Sequence, residues 1–199
     1  MTPASPQADT RTALLDVAQE LVQARGYNGM SFRDLAGRIG VRTASVHYHF
    51  PTKGDLGAAL VARYREAFTT LRATLDAAHP DPADAPTKLL RYADALHASF
   101  RKTGGMCLCA VLAAESSTLP GEVTAQVRAF FLDNETWLTA ALGRGREAGT
   151  LRFDGPPDAA ARSLFAALEG ALMSAWTFSD ATRLSAATQW LIRPLIVRP

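Results

Sequence analysis

The sequence lacks several features that would place it in a familiar class of protein. It contains two cysteines in 199 residues, too few for a disulfide framework, so a reducing compartment is the simpler interpretation. No apolar run approaches the roughly 20 residues that a membrane helix needs. The first ten residues have neither a basic start nor an apolar block, so they do not resemble a secretory signal. We therefore expect a cytoplasmic protein with no membrane partner.

The remaining composition is globular, with an uneven distribution of charge. Hydrophobic residues make up 48% and charged residues 20% of the chain, which excludes a wholly disordered protein. Residues 1–65 carry eight basic and five acidic side chains, whereas residues 66–199 carry 13 basic and 14 acidic ones. The basic N-terminal third indicates an anionic partner for that third alone, although a difference of this size also arises by chance.

The spacing of apolar residues predicts helices along the whole chain and no strands, an all-α fold. Ser31 with Asp34, and Thr52 with Asp55, have the three-residue spacing of a capping box at a helix start. Gly26 and Gly40 end two of the helices. The predicted helices cover residues 11–25, 31–39, 43–49, 52–78, 87–102, 106–117, 121–148, 157–178 and 181–193.

Residues 31–50 contain the most informative pattern, two short amphipathic helices separated by Gly40. This is the layout of a helix-turn-helix. In the second helix Val46 and Phe50 can face inward, which leaves a polar, partly aromatic surface. Its side chains have the length and the hydrogen-bonding groups to reach base edges or phosphates from the major groove: Arg42, Thr43, Ser45, His47, Tyr48 and His49. A plain three-helix packing unit with a solvated face fits the same residues equally well.

Lys53 follows this pattern, at the start of the predicted long helix. A helix N-terminus offers free backbone N–H groups and a partial positive charge. Together with the ammonium group of Lys53, it predicts a phosphate clamp.

The stretch GYNGMSFRDLAGRIGVRTASVHYHFPTKGDL, residues 26–56, resembles the DNA-binding domain of the TetR family of bacterial transcriptional regulators. The glycines, the short helix, the His-Phe pair and the lysine have the family's mutual spacing. The resemblance implies a helix-turn-helix DNA-binding domain in residues 1–51. It also implies a larger helical domain in residues 52–199, which binds a small-molecule effector and forms a homodimer.

The resemblance also assigns roles to individual residues. Ser31 caps the first helix of the motif; Thr43, Ala44 and Ser45 occupy positions that meet bases, and Tyr48, His49 and Lys53 occupy positions that contact bases or phosphates. Two positions depart from the family's pattern. His47 stands where Tyr is usual, and Arg42 replaces a small hydroxyl residue, where its longer basic side chain suits a phosphate contact.

For the C-terminal domain the resemblance implies a ligand pocket between the helices. The alternative is that most candidate residues are ordinary core, since aromatic residues and Met at helical spacing usually fill cores. The candidate lining residues are Leu96, Phe100, Met106, Leu112, Phe130, Phe131, Asn134, Trp137, Phe165 and Met173.

Gly104 and Gly105 break the preceding helix, so Cys107, two residues later, is predicted in the first turn of the next helix. A helix N-terminus favours the thiolate, which is the reactive form of cysteine. The segment resembles a Gly-Cys-Leu stretch found in some members of the family, thiol sensors among them, but Met106 stands in place of the glycine before the cysteine. Cys107 and Cys109 are about 200° apart around a helix axis, so a mutual disulfide is not expected. Buried structural cysteines, a thiol sensor at Cys107, and a metal site completed by His97 and Glu115 stay open as alternatives.

The last two predicted helices carry stripes of small and apolar residues, which predict a four-helix dimer seam. Ordinary packing within one chain is the alternative. The stripes consist of Ala160, Leu164, Ala167, Leu168, Ala171, Leu172, Ala175 and Trp176, and of Leu184, Ala187, Trp190 and Leu191.

Taken together, the patterns and the resemblance predict a homodimeric, ligand-responsive transcriptional repressor. It would release a pseudo-palindromic operator in double-stranded DNA when a small-molecule effector binds or when Cys107 is modified. We expect no enzyme, no cofactor and no metal, because the sequence contains neither a Gly-rich phosphate loop nor a convincing set of nucleophile, base and acid. A helical dimeric interaction protein without DNA binding is the alternative function.

Overall fold

The computed structural model describes residues 6–103 and 105–197, and helices account for most of them. Two 3₁₀ turns, Pro82–Asp84 and Arg193–Leu195, accompany the α-helices, and a single bridge joins Leu151 to Ile196. Within the described ranges the α-helices are α1 (Pro6–Arg25), α2 (Phe32–Ile39), α3 (Thr43–His49), α4 (Lys53–Ala78), α5 (Ala85–Thr103), α6 (Leu108–Ala114), α7 (Gly121–Glu147), α8 (Pro157–Thr177) and α9 (Thr182–Leu191).

The all-α prediction is confirmed, and the observed helices follow the predicted order. Two helices differ most from their predicted bounds: α1 begins five residues earlier, at Pro6, and α6 covers only Leu108–Ala114 and gives way to a turn over residues 115–118. Helix α9 ends at Leu191, and the 3₁₀ turn around Pro194 replaces its predicted last residues, because proline cannot continue the hydrogen-bond ladder. No described helix has both the length and the apolar character of a membrane span.

Two capping boxes position the helices around the sequence motif. The Ser31 hydroxyl accepts a hydrogen bond from the Asp34 N–H at 3.2 Å, and the Asp34 carboxylate accepts one from the Ser31 N–H at 2.9 Å. Thr52 and Asp55 repeat this exchange at the start of α4, with both bonds at 3.0 Å. Gly40 ends α2 in the left-handed conformation, with φ of 74°, which glycine adopts without steric cost. These local signals explain why the helix starts could be predicted from sequence.

Backbone packing divides the chain into two compact units. The first consists of Met1–Arg65 and Leu108–Phe130, and the second of Glu66–Cys107 and Phe131–Pro199. The units describe packing, and the functional boundary expected after residue 51 stays a prediction. The first unit has a core of Leu14, Ala18, Val22, Leu35, Val46, Phe50, Leu56 and Leu60, and the second a core of Leu89, Tyr92, Leu138, Ala161, Phe165, Leu168 and Leu172.

Candidate functional site

Helix α3 is held by one face and exposes the other. The side chains of Val46 and Phe50 are 0% and 2% exposed, so the inward positions predicted from sequence are confirmed. The predicted contact residues lie on the remaining surface: Arg42, Thr43, Ala44, His47 and Tyr48 are exposed, and Ser45 and His49 are half-buried. Because Val46 and Phe50 fix the rotation of α3, the polar residues are presented together on one outward surface.

The aromatic residues of α3 have distinct surroundings. Tyr48 is 70% exposed, and its ring meets that of His49 edge-on, with 5.1 Å between centroids. His47 packs edge-on against Phe32 at 4.8 Å, and its Nδ1 lies 3.4 Å from the carbonyl oxygen of Pro51. In the tautomer that carries hydrogen on Nδ1, His47 donates to this carbonyl and keeps Nε2 for an external partner.

Lys53 is less free than the sequence suggests. Its ammonium nitrogen lies 4.5 Å from the centroid of the Tyr27 ring, a cation–π distance. Burial lowers the pKa of Lys53 below its ordinary value, while the charge of Glu115 acts in the opposite direction. The capping carboxylate of Asp55 also lies in the first turn of α4. A phosphate at this helix start would therefore meet an ammonium group that is already oriented, and the clamp stays a prediction.

Glu115, which follows α6, anchors the loop between α1 and α2. Its Oε2 accepts hydrogen bonds from the backbone N–H groups of Tyr27 and Asn28, at 2.8 and 3.1 Å, and from the Asn28 side chain at 3.3 Å. The Asn28 amide also donates to Thr118 at 2.8 Å. Sequence reasoning considered Glu115 as a metal ligand and missed this role, because the contacts join residues 87 or 88 positions apart.

The described residues contain no group of three His, Cys, Asp or Glu side chains that could hold a metal ion. His97 and Glu115, the candidate ligands for a metal site with the cysteines, contact other groups. The Nε2 of His97 lies 3.2 Å from the Thr188 hydroxyl, and burial lowers the pKa of His97 below its ordinary value. Cys107 and Cys109 are both buried, and Cys107 directly precedes the first residue of α6.

The candidate ligand-lining residues do not share one environment. Met173 is 49% exposed and lies at the surface of α8. Leu112 and Phe130 belong to the first unit, whereas the other candidates belong to the second. Phe131 is half-buried, and the others are buried: Leu96, Phe100, Met106, Leu112, Phe130, Asn134, Trp137 and Phe165. A lining role for any of them stays a prediction.

Asn134 is the centre of a buried polar network in the second unit. Its Oδ1 accepts hydrogen bonds from the Arg72 guanidinium and from the Tyr92 hydroxyl, both at 2.8 Å. Arg72 also donates to Thr69 at 3.0 Å. Sequence reasoning missed Arg72 and Tyr92. A signal existed for Arg72, which shares a helical face with the buried Phe68 and Leu75.

Asp76 joins a neighbouring set of hydrogen bonds. It accepts from Lys88 at 2.8 Å and from the Trp137 indole N–H at 3.0 Å. Burial alone would raise the pKa of Asp76. The hydrogen bonds from Lys88 and Trp137, together with the positive charges of Lys88 and Arg144, hold this pKa below its ordinary value. The Trp137 ring also packs on the Tyr92 ring, with 5.3 Å between centroids.

Glu169 is a further buried group that sequence reasoning missed. Its side chain lies on the buried face of α8 with Phe165 and Leu172, and it is 7% exposed. Burial raises its pKa to about 7, and the interaction with the Cys107 thiol acts in the opposite direction. The detectable signal was a single charged residue within an apolar helical stripe.

The dimer stripe predicted on α8 divides between the interior and the surface. Leu164, Leu168, Leu172 and Ala175 are buried within the chain, as the alternative of ordinary packing expects. The exposed side of α8 is the neighbouring face, which carries Ser163, Ala166, Gly170, Met173 and Thr177. Large apolar side chains are also exposed nearby in sequence: Trp176 (43%), Phe178 (63%) and, on α9, Trp190 (78%).

Two family models match the chain. Residues 14–60 match "Bacterial regulatory proteins, tetR family", and residues 85–191 match "Tetracyclin repressor-like, C-terminal domain". The first match contains α2 and α3, and the second covers more than half of the chain. Together they account for both parts of the architecture expected from the sequence.

Individual relatives agree with this assignment. A TetR-family transcriptional regulator from Agrobacterium tumefaciens has a structure similar to this chain, with a TM-score of 0.90 and 33% identity over 96% of this chain and 100% of that one. The HTH-type transcriptional repressor NemR of Escherichia coli K12 is 28% identical over 170 residues, 84% of each chain. The HTH-type transcriptional repressor DhaR of Mycobacterium sp. GP1 is 26% identical over 167 residues, 82% of this chain and 80% of that one. The chain therefore belongs to the TetR family of bacterial transcriptional regulators, and it is a DNA-binding regulator whose helix-turn-helix is formed by α2 and α3.

Proposed function

We propose that the protein is a homodimeric repressor that binds a pseudo-palindromic operator and releases it when a small-molecule effector binds. The observation that carries this proposal is the fixed outward face of α3, with Arg42, Thr43 and Tyr48 exposed while Val46 and Phe50 are buried. Side chains of this kind read base edges and phosphates in the major groove. Two such helices, related by a dimer axis, would enter successive major grooves about 34–36 Å apart.

The exposed face of α8 supports the dimer. Ala166 and Gly170 are small, and a Cβ at Gly170 would meet nothing within 4 Å, so a second helix can approach closely. Two helices from each subunit would form a four-helix interface. Gly170→Glu is expected to convert the dimer to a monomer in light scattering after size exclusion, whereas Ala125→Glu, on the exposed surface of α7, should leave the mass unchanged.

Release requires that the effector binds two conformers of the dimer with different affinity. Helix α4 contributes residues to both compact units, and we propose it as the lever between effector and DNA. Thiol modification is a second trigger that stays a prediction. Cys107 is only 5% exposed, which limits the access of an oxidant or electrophile to its thiol.

The direct test is selection of DNA. Randomised duplex DNA is enriched on the immobilised full-length protein, and the recovered sequence is measured by fluorescence anisotropy over a series of salt concentrations. We expect a two-fold symmetric sequence and a steep salt dependence. Tyr48→Ala and Arg42→Ala should each weaken binding to it by about tenfold, while Arg91→Ala, on the exposed surface of α5, should not.

Two other outcomes identify the rivals. No enriched sequence and no salt dependence, from a protein that is still a dimer, would favour the helical interaction protein. If a sequence is enriched but both α3 substitutions leave its affinity unchanged, DNA recognition lies elsewhere in the chain.

A further inference from the structure

The second unit contains a carboxyl group that its own fold does not satisfy. Glu169 is 7% exposed, and neither of its carboxyl oxygens has a hydrogen-bond donor in bonding geometry among the described residues. Buried polar groups in proteins are nearly always hydrogen-bonded, and an unsatisfied buried carboxyl group is unfavourable. Such a group can accept a hydrogen bond from a donor outside the chain.

Two donor side chains of the same interior, Tyr92 and Arg72, donate to other acceptors. The hydroxyl hydrogen of Tyr92 goes to Asn134 Oδ1, and the two terminal nitrogens of Arg72 donate to Asn134 and Thr69. Electrostatic interaction connects Tyr92 with both Glu169 and Cys107, so the carboxyl group faces this network without receiving its hydrogens. The Cys107 thiol is a weak hydrogen-bond donor, and it cannot substitute for the N–H group of an amide or of a cation.

Aromatic side chains occur in the same interior as Glu169. Phe165 lies one helical turn before it on the same buried face of α8, and its ring meets that of Phe131 at 5.5 Å. The Tyr92 ring, on α5, packs against Trp137. An acidic group on a buried helical face that also carries an aromatic ring suits a cation, because aromatic rings and carboxylates both attract positive charge.

We propose that Glu169 anchors the effector, and that the effector is an organic cation with N–H donors, a protonated amine or an amidine, joined to an apolar or aromatic body. This inference rests on the proposed function and narrows it to a chemical class. An anionic head would be repelled by Glu169. A metal ion would need further ligands, and no group of three metal-ligating side chains exists in the described ranges.

Such binding has a protonation signature. The titratable and charged groups that face Glu169 are Cys107 and Tyr92, with Arg72 beyond Tyr92. Since burial raises the pKa of Glu169 to about 7, the free protein holds a proton there in mildly acidic solution. A cation pairs only with the carboxylate, so binding at about pH 6 should release a proton, and binding at about pH 8.5 should release almost none.

The experiment is calorimetric titration of the full-length protein with phenethylamine, benzylamine and benzamidine. 2-Phenylethanol and 3-phenylpropionate serve as neutral and anionic counterparts. Each titration is run at about pH 6 in two buffers of different ionisation enthalpy, and once more at about pH 8.5. Glu169→Gln removes the charge and keeps the shape, Glu169→Met is the second variant should the amide perturb folding, and Glu147→Gln, exposed on α7, is the matched control.

We expect at least one of the three cations to bind with proton release at about pH 6, and at least ~10-fold tighter than the alcohol. Glu169→Gln or Glu169→Met should lose that margin and the proton release, whereas Glu147→Gln should behave like the wild type. Binding of none of the cations, or equal binding by the wild type and a folded Glu169 variant, would overturn the inference.

DNA binding by the same samples, measured without any amine, separates this inference from the function it rests on. If the enriched duplex binds but the cations do not, the inference alone fails. If the wild type binds no DNA, the proposed function fails whatever the amines do.

Discussion

The two compact units place their polar side chains in opposite ways. In the first, the polar residues of α3 point outward, and the interior beneath them is formed by residues such as Val46 and Phe50. In the second, polar groups lie within an apolar interior: in the described part of the chain, every buried polar or charged residue belongs to this unit, namely Arg72, Lys88, His97, Asn134 and Glu169. Buried polar groups reduce stability unless they are paired. Their concentration in the second unit therefore indicates that the interior of this unit serves a purpose other than stability.

The difference fits two kinds of partner. A duplex presents the same phosphate spacing to every protein, and a rigid outward surface suffices to meet it. A small ligand offers few atoms, and a site for it needs a few placed polar groups in an apolar surrounding. The comparison can be tested by perturbing each interior and each surface in turn.

The largest expected effect comes from Asn134→Leu. This substitution removes the acceptor shared by Arg72 and Tyr92, and each of these two buried donors that loses its bond costs about 1–3 kcal/mol. Urea unfolding measures the loss, and Thr136→Leu on the exposed side of α7 is the control. Equal free energies of unfolding for the two variants would mean that the hydrogen bonds to Asn134 do not stabilise the second unit.

The next effect is the pH dependence that Glu169 imposes. Its folded pKa is raised from 4.5 to about 7, so between these values the folded state binds more protons than the unfolded state. This contribution to stability is therefore lost as the pH rises from about 4.5 to about 7, by about 3 kcal/mol in total. Glu169→Gln should flatten that part of the profile and be the more stable protein at neutral pH. A wild-type profile parallel to that of Glu169→Gln would show that the carboxyl group already has a partner.

A smaller loss is expected for Glu115→Ala in the first unit. Three N–H groups of Tyr27 and Asn28 lose their acceptor, but two of these bonds are exposed and water can replace them. We expect about 1–2 kcal/mol of destabilisation, measured by urea unfolding, with Glu122→Ala, exposed at the start of α7, for comparison. A loss as large as that of Asn134→Leu would remove the contrast between the two units.

Lys53→Met is expected to have the smallest effect on stability and a clear effect on DNA binding. The methionine keeps the contact with the Tyr27 ring, so stability should change by less than about 1 kcal/mol. Affinity for specific and random duplex should fall alike, and the salt slope of binding should decrease by about one. An unchanged salt slope would remove Lys53 from the phosphate contacts.

The part of the structure that could be predicted from sequence is the part governed by neighbours in the chain. The capping boxes at Ser31 and Thr52 span three residues, and the inward positions of Val46 and Phe50 follow from helical spacing. The site of Glu115 could not be predicted, since its partners lie 87 or 88 residues away. Glu169 is an intermediate case: its position in an apolar stripe was visible, but its lack of a donor is a property of the folded interior.

Gly26 follows α1 with φ of +77°, and a Cβ at this position would collide with the carboxylate of Glu115. Only glycine combines the left-handed backbone with the space that this carboxylate takes. Among relatives that build this loop in the same way, a glutamate at position 115 should therefore be accompanied by glycine at position 26.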